Sequence, residues 1–99
     1  MTRDAIHPGE FLADEIEGIG ITATELSRQI DVPPNRISQI IRGKRDLTAD
    51  TALRLGKFFG TGADWINLQK AYELDRARAL LGAKLNKIHG WESVVRKAG

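Results

Sequence analysis

An all-α fold is predicted for this 99-residue chain, and three observations predict it. Apolar residues recur at three- and four-residue spacing along most of its length, the period of a helix with one buried side. No stretch sustains the alternation of a half-buried strand. Helix-start residues (Pro8, Thr22, Thr48) and helix-stop glycines (Gly18 with Gly20, Gly43, Gly60) punctuate the periodic runs. A hydrophobic content of 41% with 28% charged residues belongs to a globular domain, not a disordered chain. Cysteine is absent, which excludes disulfides, thiolate metal sites and cysteine nucleophiles. No apolar run approaches the roughly 20 residues that span a bilayer. The start MTRDAIHPGEF lacks the basic head and apolar centre of a signal peptide, so the cytoplasm is the expected location.

The first helix is expected from Pro8, suited to a first helical turn, through Glu17. Leu12, Ile16 and Ile19 share its inner side with Phe11 adjacent, and the acids face outward. The second helix opens with Thr22, whose hydroxyl caps it, and Glu25 is spaced to reach back to the Thr22 amide. Its inward stripe is Ala23, Leu26 and Ile30. Asp31-Val32 forms a turn. Pro33 is then held extended by Pro34, and Pro34 is placed to start a third helix.

That third helix buries Ile37, Ile40 and Ile41. At about 100° per residue, the opposite side carries Asn35, Gln39 and Arg42, flanked by Arg36 and Ser38. From Asn35 to Arg45 there is no acid. A merely solvated face usually mixes both signs, whereas Asn, Gln and Arg are side chains able to make paired hydrogen bonds to base edges. Two short helices joined by a tight turn, the second basic outside, read as a helix-turn-helix that lays its second helix in the DNA major groove. Charge is polarised to match. Residues 26–57 carry a net +4, residues 1–25 a net −5, and residues 58–99 a net +3. Positive charge therefore collects where phosphates would lie. Lys44 and Arg45, just past Gly43, suit phosphate contact, which positions a protein without reading sequence.

A fourth helix is expected after Thr48, burying Ala52, Leu55 and Phe59, with Leu53 and Phe58 closing the core over the first two helices. A fifth spans about Ala63–Leu81. Trp65, Leu68, Tyr72 and Ala79 share one side, and Leu74 adds to apolar surface spread around much of the rest. So much apolar circumference calls for a partner, and Trp65, Leu68, Tyr72, Leu74 and Ala79 are assigned to a homodimer interface. The alternative is that residues 82–99 fold back over the helix. Those residues carry Leu85, Ile88, Trp91, Val94 and Val95 at helical spacing interrupted at Gly90, and their Lys84, Lys87, Arg96 and Lys97 suit either DNA or an acidic protein face.

Catalytic chemistry has nothing to stand on. His7 and His89 lie in different elements, His7 reading as a polar start to the first helix. Ser27, Ser38 and Ser93 lack a base, and no glycine-rich loop follows a strand. No metal, cofactor or enzymatic activity is expected.

The runs HPGEFL, VPPNRISQIIRGKRDLTADTALRLGKFFGT and WINLQKAYEL resemble the HigA/VapI antitoxins, within the phage-repressor-like (Xre/Cro) helix-turn-helix class. The similarity covers about His7–Asp75. It implies a five-helix, lambda-repressor-like domain over residues 1–75; residues 76–99, which the similarity does not reach, are expected from their own spacing to complete the fifth helix and form a short, partly helical extension. It further implies a homodimer that represses its own operon at an inverted repeat of double-stranded DNA, and a cognate toxin, typically a RelE-like ribosome-dependent mRNA endonuclease. Pro34, Asn35, Arg36 and Gln39 match base-contacting positions. Thr22, Ala23, Lys44 and Arg45 match phosphate contacts, to which Ser38 and Arg42 are added. Pro34 stands where phage repressors commonly have a polar residue and offers apolar contact alone, as to a thymine methyl. Two other readings use the same residues: a stand-alone repressor with no toxin, and an adaptor that kept the shape without DNA binding. The acid-free run argues against the second.

Overall fold

Helix boundaries in this chain are fixed by capping residues, and most of the caps are legible in the sequence. The computed structural model describes the backbone of residues 5–98 and the side chains of residues 5–95. The expectations for Arg96 and Lys97 therefore lie outside the described residues, as do residues 1–4 of the expected domain. The elements in order are α1 (Pro8–Ile19), α2 (Ala23–Gln29), α3 (Arg36–Ile41), α4 (Ala49–Phe59), α5 (Asp64–Leu81), a 3-10 segment (Gly82–Lys87) and α6 (Trp91–Ala98). No strand occurs among the described residues.

His7 caps α1: its Nδ1 accepts a hydrogen bond from the Gly9 amide at 2.9 Å, and Pro8 fills the first helical position. The helix continues past Glu17 to Ile19, because Gly18 is tolerated inside a helix. Only Gly20, left-handed at φ 79°, ends it by returning its N–H to the Ile16 carbonyl. In α2 the Thr22 hydroxyl accepts from the Glu25 amide at 3.0 Å, but only half of the expected capping box forms. The Glu25 carboxylate turns away from the Thr22 amide toward Arg28, at 2.6–2.9 Å, and Gln29, at 3.0 Å. Hydrogen bonds from Arg28 first and Gln29 second hold that carboxyl below its ordinary pKa. Its support for α2 is therefore present at neutral pH and lost as pH falls through the lowered value.

The third helix, α3, begins two residues later than the sequence suggests. The Arg36 amide donates to the Pro33 carbonyl at 2.9 Å, which makes Pro33–Arg36 a reverse turn with Pro34 at its second position. Proline's fixed φ favours that place in a turn as much as the first place in a helix. Asn35, with ψ near 0°, then caps α3 through its backbone carbonyl, which accepts from Gln39 at 3.0 Å. Thr48 caps α4 as expected, accepting from Thr51, and Gly60 ends it at φ 74°.

Leu12 and Ile16 of α1, Leu26 and Ile30 from α2, Ile37 and Ile40 of α3, Leu47, Ala52 and Leu55, and Trp65 of α5 form one buried core. Two glycines permit its closest approaches. A Cβ on Gly9 would stand 2.0 Å from the Ile40 carbonyl oxygen, and one on Gly56 would stand 1.6 Å from that of Gly62. The expectation that Leu53 and Phe58 close the core is corrected, since they are 61% and 39% exposed. The inward stripe of α4 runs through Thr51, Ala52, Leu55 and Gly56, which turns Leu53 and Phe58 to the outside.

Only the N-terminal half of α5 touches this core; beyond Tyr72 every described side chain of the helix is exposed. The helix, the 3-10 segment and α6 extend the molecule to 61 × 27 × 21 Å. No helix among the described residues is long and apolar enough to cross a membrane. Gly9→Ala is expected to lower stability by about 1–3 kcal/mol, because backbone, not a flexible side chain, occupies the space. Urea unfolding measures it, and an unchanged midpoint would contradict the packing described.

Candidate nucleic-acid interface

A helix of six residues has little stability of its own, so α3 must be held by its surroundings. Its apolar side rests on α1 and α2. Polar groups then fix its ends. At the start, the Ser27 hydroxyl of α2, fully buried, accepts from the Ile37 amide at 3.3 Å. This supplies a partner for an N–H that lies in the first turn and has none within the helix. At the far end, Gly43 at φ 72° lets Gly43 and Lys44 donate back to the carbonyls of Ile40 (3.0 Å) and Gln39 (2.9 Å). This paired closure is a Schellman ending. Three residues on, the Leu47 amide donates to Oε1 of Gln69 at 2.8 Å, and Gln69, 1% exposed, donates in turn to Glu73 at 2.9 Å.

The turn between α2 and α3 is held from α4. Arg54 donates from Nη1 to the carbonyls of Ile30 (2.9 Å) and Asp31 (3.3 Å), and from Nε to Asp50 at 2.7 Å. Asp31 within that turn is the one non-glycine residue at positive φ (58°) among the described residues. Arg54, counted in the sequence among the basic residues of the DNA segment, is thus a clamp on the turn.

With the helix held, its outer side is presented. Pro34, Asn35, Arg42, Lys44 and Arg45 are exposed, and Arg36, Ser38 and Gln39 are half-buried. Asn35 makes no side-chain cap bond, so its carboxamide is not engaged in capping α3. Arg36, Arg42, Lys44 and Arg45 have no acidic partner among the described residues. Arg45 instead donates its Nε to Oε1 of Gln39 at 2.9 Å. The Ser38 hydroxyl donates to the Asn35 carbonyl at 3.0 Å, so in the free chain it closes the first turn of α3. Thr22 is exposed and Ala23 half-buried at the start of α2. The structure thus gathers Pro34 to Arg45 on α3 and its two flanking turns.

The residues expected at a dimer interface are divided. Trp65 is only 6% exposed and packs against Phe59 inside the protomer, with ring centroids 5.5 Å apart, so its assignment to an intersubunit face is corrected. Its position in the first turn of α5 sets it against Phe59 at the end of α4. Leu68 and Tyr72 are half-buried, Tyr72 meeting the His7 ring edge-on at 4.9 Å. Leu74 (53% exposed) and Ala79 are exposed.

Three residues that matter here were missed in the sequence: Ser27, Arg54 and Gln69. A signal existed for two of them. Ser27 and Gln69 are polar residues on the inward side of their helices, one beside Leu26 and the other between Trp65 and Tyr72. No group of three or more His, Cys, Asp or Glu side chains among the described residues could hold a metal ion.

A helix-turn-helix family signature matches residues 12–66, which contain α2 and α3 whole. The virulence-associated protein I of Dichelobacter nodosus is 48% identical over 75 residues, which cover 74% of this chain and 69% of that protein. The chain belongs to the HigA/VapI-like branch of the helix-turn-helix family. A solved addiction-module antidote protein of a HigA family from Coxiella burnetii is 43% identical. It superposes with a TM-score of 0.83 over 89% of this chain and 98% of its own. A Pseudomonas aeruginosa protein solved in complex with 18 bp of its operator DNA is 38% identical, with a TM-score of 0.83 over 91% and 97% of the two chains. This HigA-like chain therefore has the fold of DNA-binding antitoxins and transcription regulators.

Ser27→Ala is expected to cost about 1–3 kcal/mol, since it strands the Ile37 amide in a dry site. A loss well below that range, read from urea midpoints at constant slope, would mean that Ser27 does not hold α3.

Proposed function

We propose that the chain is a homodimeric repressor of its own operon that also restrains a cognate RelE-like mRNA endonuclease by binding it. The observation that carries the DNA half is the outer side of α3 and its flanking turns, polar, basic and without an acid from Asn35 to Arg45. In this reading α3 enters the major groove. Asn35, Arg36 and Gln39 meet base edges, and Pro34 lies against a thymine methyl. Thr22, Ala23, Ser38, Arg42, Lys44 and Arg45 lie along the backbone and set the register. The related Pseudomonas aeruginosa protein, solved with its operator, supports DNA binding by this fold.

Two copies related by a two-fold axis would place two α3 helices about one DNA turn apart, matching an inverted repeat. The exposed side of α5, with Leu74 and Ala79 and the flank of Leu68 and Tyr72, is the proposed meeting surface. Leu80, 77% exposed, extends it. The likeness to an addiction-module antidote supports a toxin partner, and neutralisation would follow from binding alone.

Co-expression with the adjacent reading frame, followed by purification and footprinting on the upstream DNA, tests both halves. A co-purifying small protein and a protected inverted repeat are expected. A lone protein without a footprint would overturn the proposal, and a footprint without a partner would leave a stand-alone repressor. Arg36→Ala is expected to cost about 1–3 kcal/mol on the operator and to relax sequence preference. Lys44→Ala should weaken all DNA alike and lower the salt slope by about 1. Equal losses on operator and random duplex for both variants would contradict this division of roles.

A further inference from the structure

We infer that Gln39 reads guanine rather than adenine, and that Arg45 is the positioning residue that makes it do so. The inference rests on the proposed placement of Gln39 at a base edge. Glutamine by itself suits adenine, whose major-groove edge pairs an acceptor (N7) with a donor (the N6 amino group) and so needs both ends of the amide. The fold restricts which end is offered.

The Schellman ending at Gly43 turns the chain back beside α3, and the Leu47 amide, pinned by Gln69, fixes it again. Between Lys44 and Leu47 stand only Arg45 and Asp46. Arg45 is thereby brought alongside the helix six residues after Gln39, with Nε donating to Oε1 of Gln39 at 2.9 Å. A guanidinium has donors and no acceptor, so it holds the oxygen of the amide toward itself and directs the NH2 away. Oε1 keeps a second lone pair, but that lone pair lies beside a cation, where the positive hydrogens of an adenine amino group are repelled.

The outward face of the pair therefore consists of donors: the two N–H bonds of Gln39 Nε2 and the remaining N–H groups of Arg45. Guanine is the base whose major-groove edge offers two adjacent acceptors, N7 and O6. The guanidinium charge that repels the adenine amino group attracts O6. The remaining Arg45 donors are also free to meet a phosphate, so the phosphate role and the positioning role are compatible.

Selection from a duplex library with a randomised core, using the full chain and its Gln39→Ala, Arg45→Ala and Arg45→Lys variants, tests this. The position read by Gln39 is the one at which Gln39→Ala flattens the preference. Guanine is expected there, favoured over adenine by about tenfold. Arg45→Ala should reduce that ratio to about twofold or invert it toward adenine, leaving preferences at other positions in place, while Arg45→Lys, still a cationic donor, retains guanine. Adenine at that position in the unaltered chain would overturn the inference and leave the base-reading role of Gln39 standing. A guanine preference unmoved by Arg45→Ala would overturn the positioning role. If no position responds to Gln39→Ala, or no sequence is selected, the placement of Gln39 fails and the inference falls with it.

Discussion

Two buried hydrogen bonds hold the two ends of a helix too short to hold itself. The Ser27 hydroxyl takes the Ile37 amide at the start of α3, and the Gln69 carboxamide takes the Leu47 amide beyond its end. Each is a side-chain oxygen in the core satisfying a backbone N–H that would otherwise be buried and unpaired, a deficit of about 1–3 kcal/mol per group. Apolar packing sets how deep α3 lies, since Ile37 and Ile40 are wholly buried. Packing is nondirectional, however, and a short helix could still rotate or slide on it. Directional bonds at both ends remove that freedom, and they decide which side chains point outward.

The same economy explains the elements that touch no DNA in this account. Arg54 of α4 ties down the carbonyls that end α2, so the turn enters α3 at a fixed angle. Gly9 lets α1 lie directly on the backbone of Ile40. Gln69 belongs to α5, so one helix both anchors the segment that follows α3 and carries, on its exposed far half, the proposed meeting surface. A rigid link of this kind is what two copies need if their α3 helices are to meet successive grooves at a set spacing. Four acids, Glu10, Asp14, Glu15 and Glu17, gather on α1, while the run from Asn35 to Arg45 holds none.

Much of this was legible in the sequence because caps and periodicity are local. Thr22, Thr48, Gly20, Gly43 and Gly60 act where the residue types say they should. Leu12, Ile16, Leu26, Ile30, Ile37 and Ile40 of the expected stripes are buried, whereas Ile19 and Phe11, expected on the inner side of α1, are 50% and 40% exposed. The misreadings have a common cause in tertiary context. Pro34 suits the first position of a helix and the second of a reverse turn equally, and the Pro33–Arg36 bond selects the turn. Leu53, Phe58 and Trp65 are apolar on helices with apolar residues on several sides, and which side is covered depends on neighbours distant in sequence. At the site, the outward residues of α3 followed from its period, but the contacts that orient them did not. Ser27 to Ile37 spans ten residues, Arg54 to Ile30 spans 24, and Gln69 to Leu47 spans 22, and nothing local marks such pairs.

The central claim is that the chain meets DNA through α3 and its flanking turns, held as one rigid face. Amide chemical shifts of the isotopically labelled chain, titrated with a generic duplex at low ionic strength, test it most directly, because phosphate attraction needs no knowledge of the operator. The account predicts shifts concentrated at Thr22–Ala23 and from Asn35 to Arg45, with the acidic outer side of α1 unmoved and the Ile37 and Leu47 amides still protected from exchange. Shifts centred on α1 or on α6, or loss of protection at Ile37 and Leu47 on binding, would contradict it.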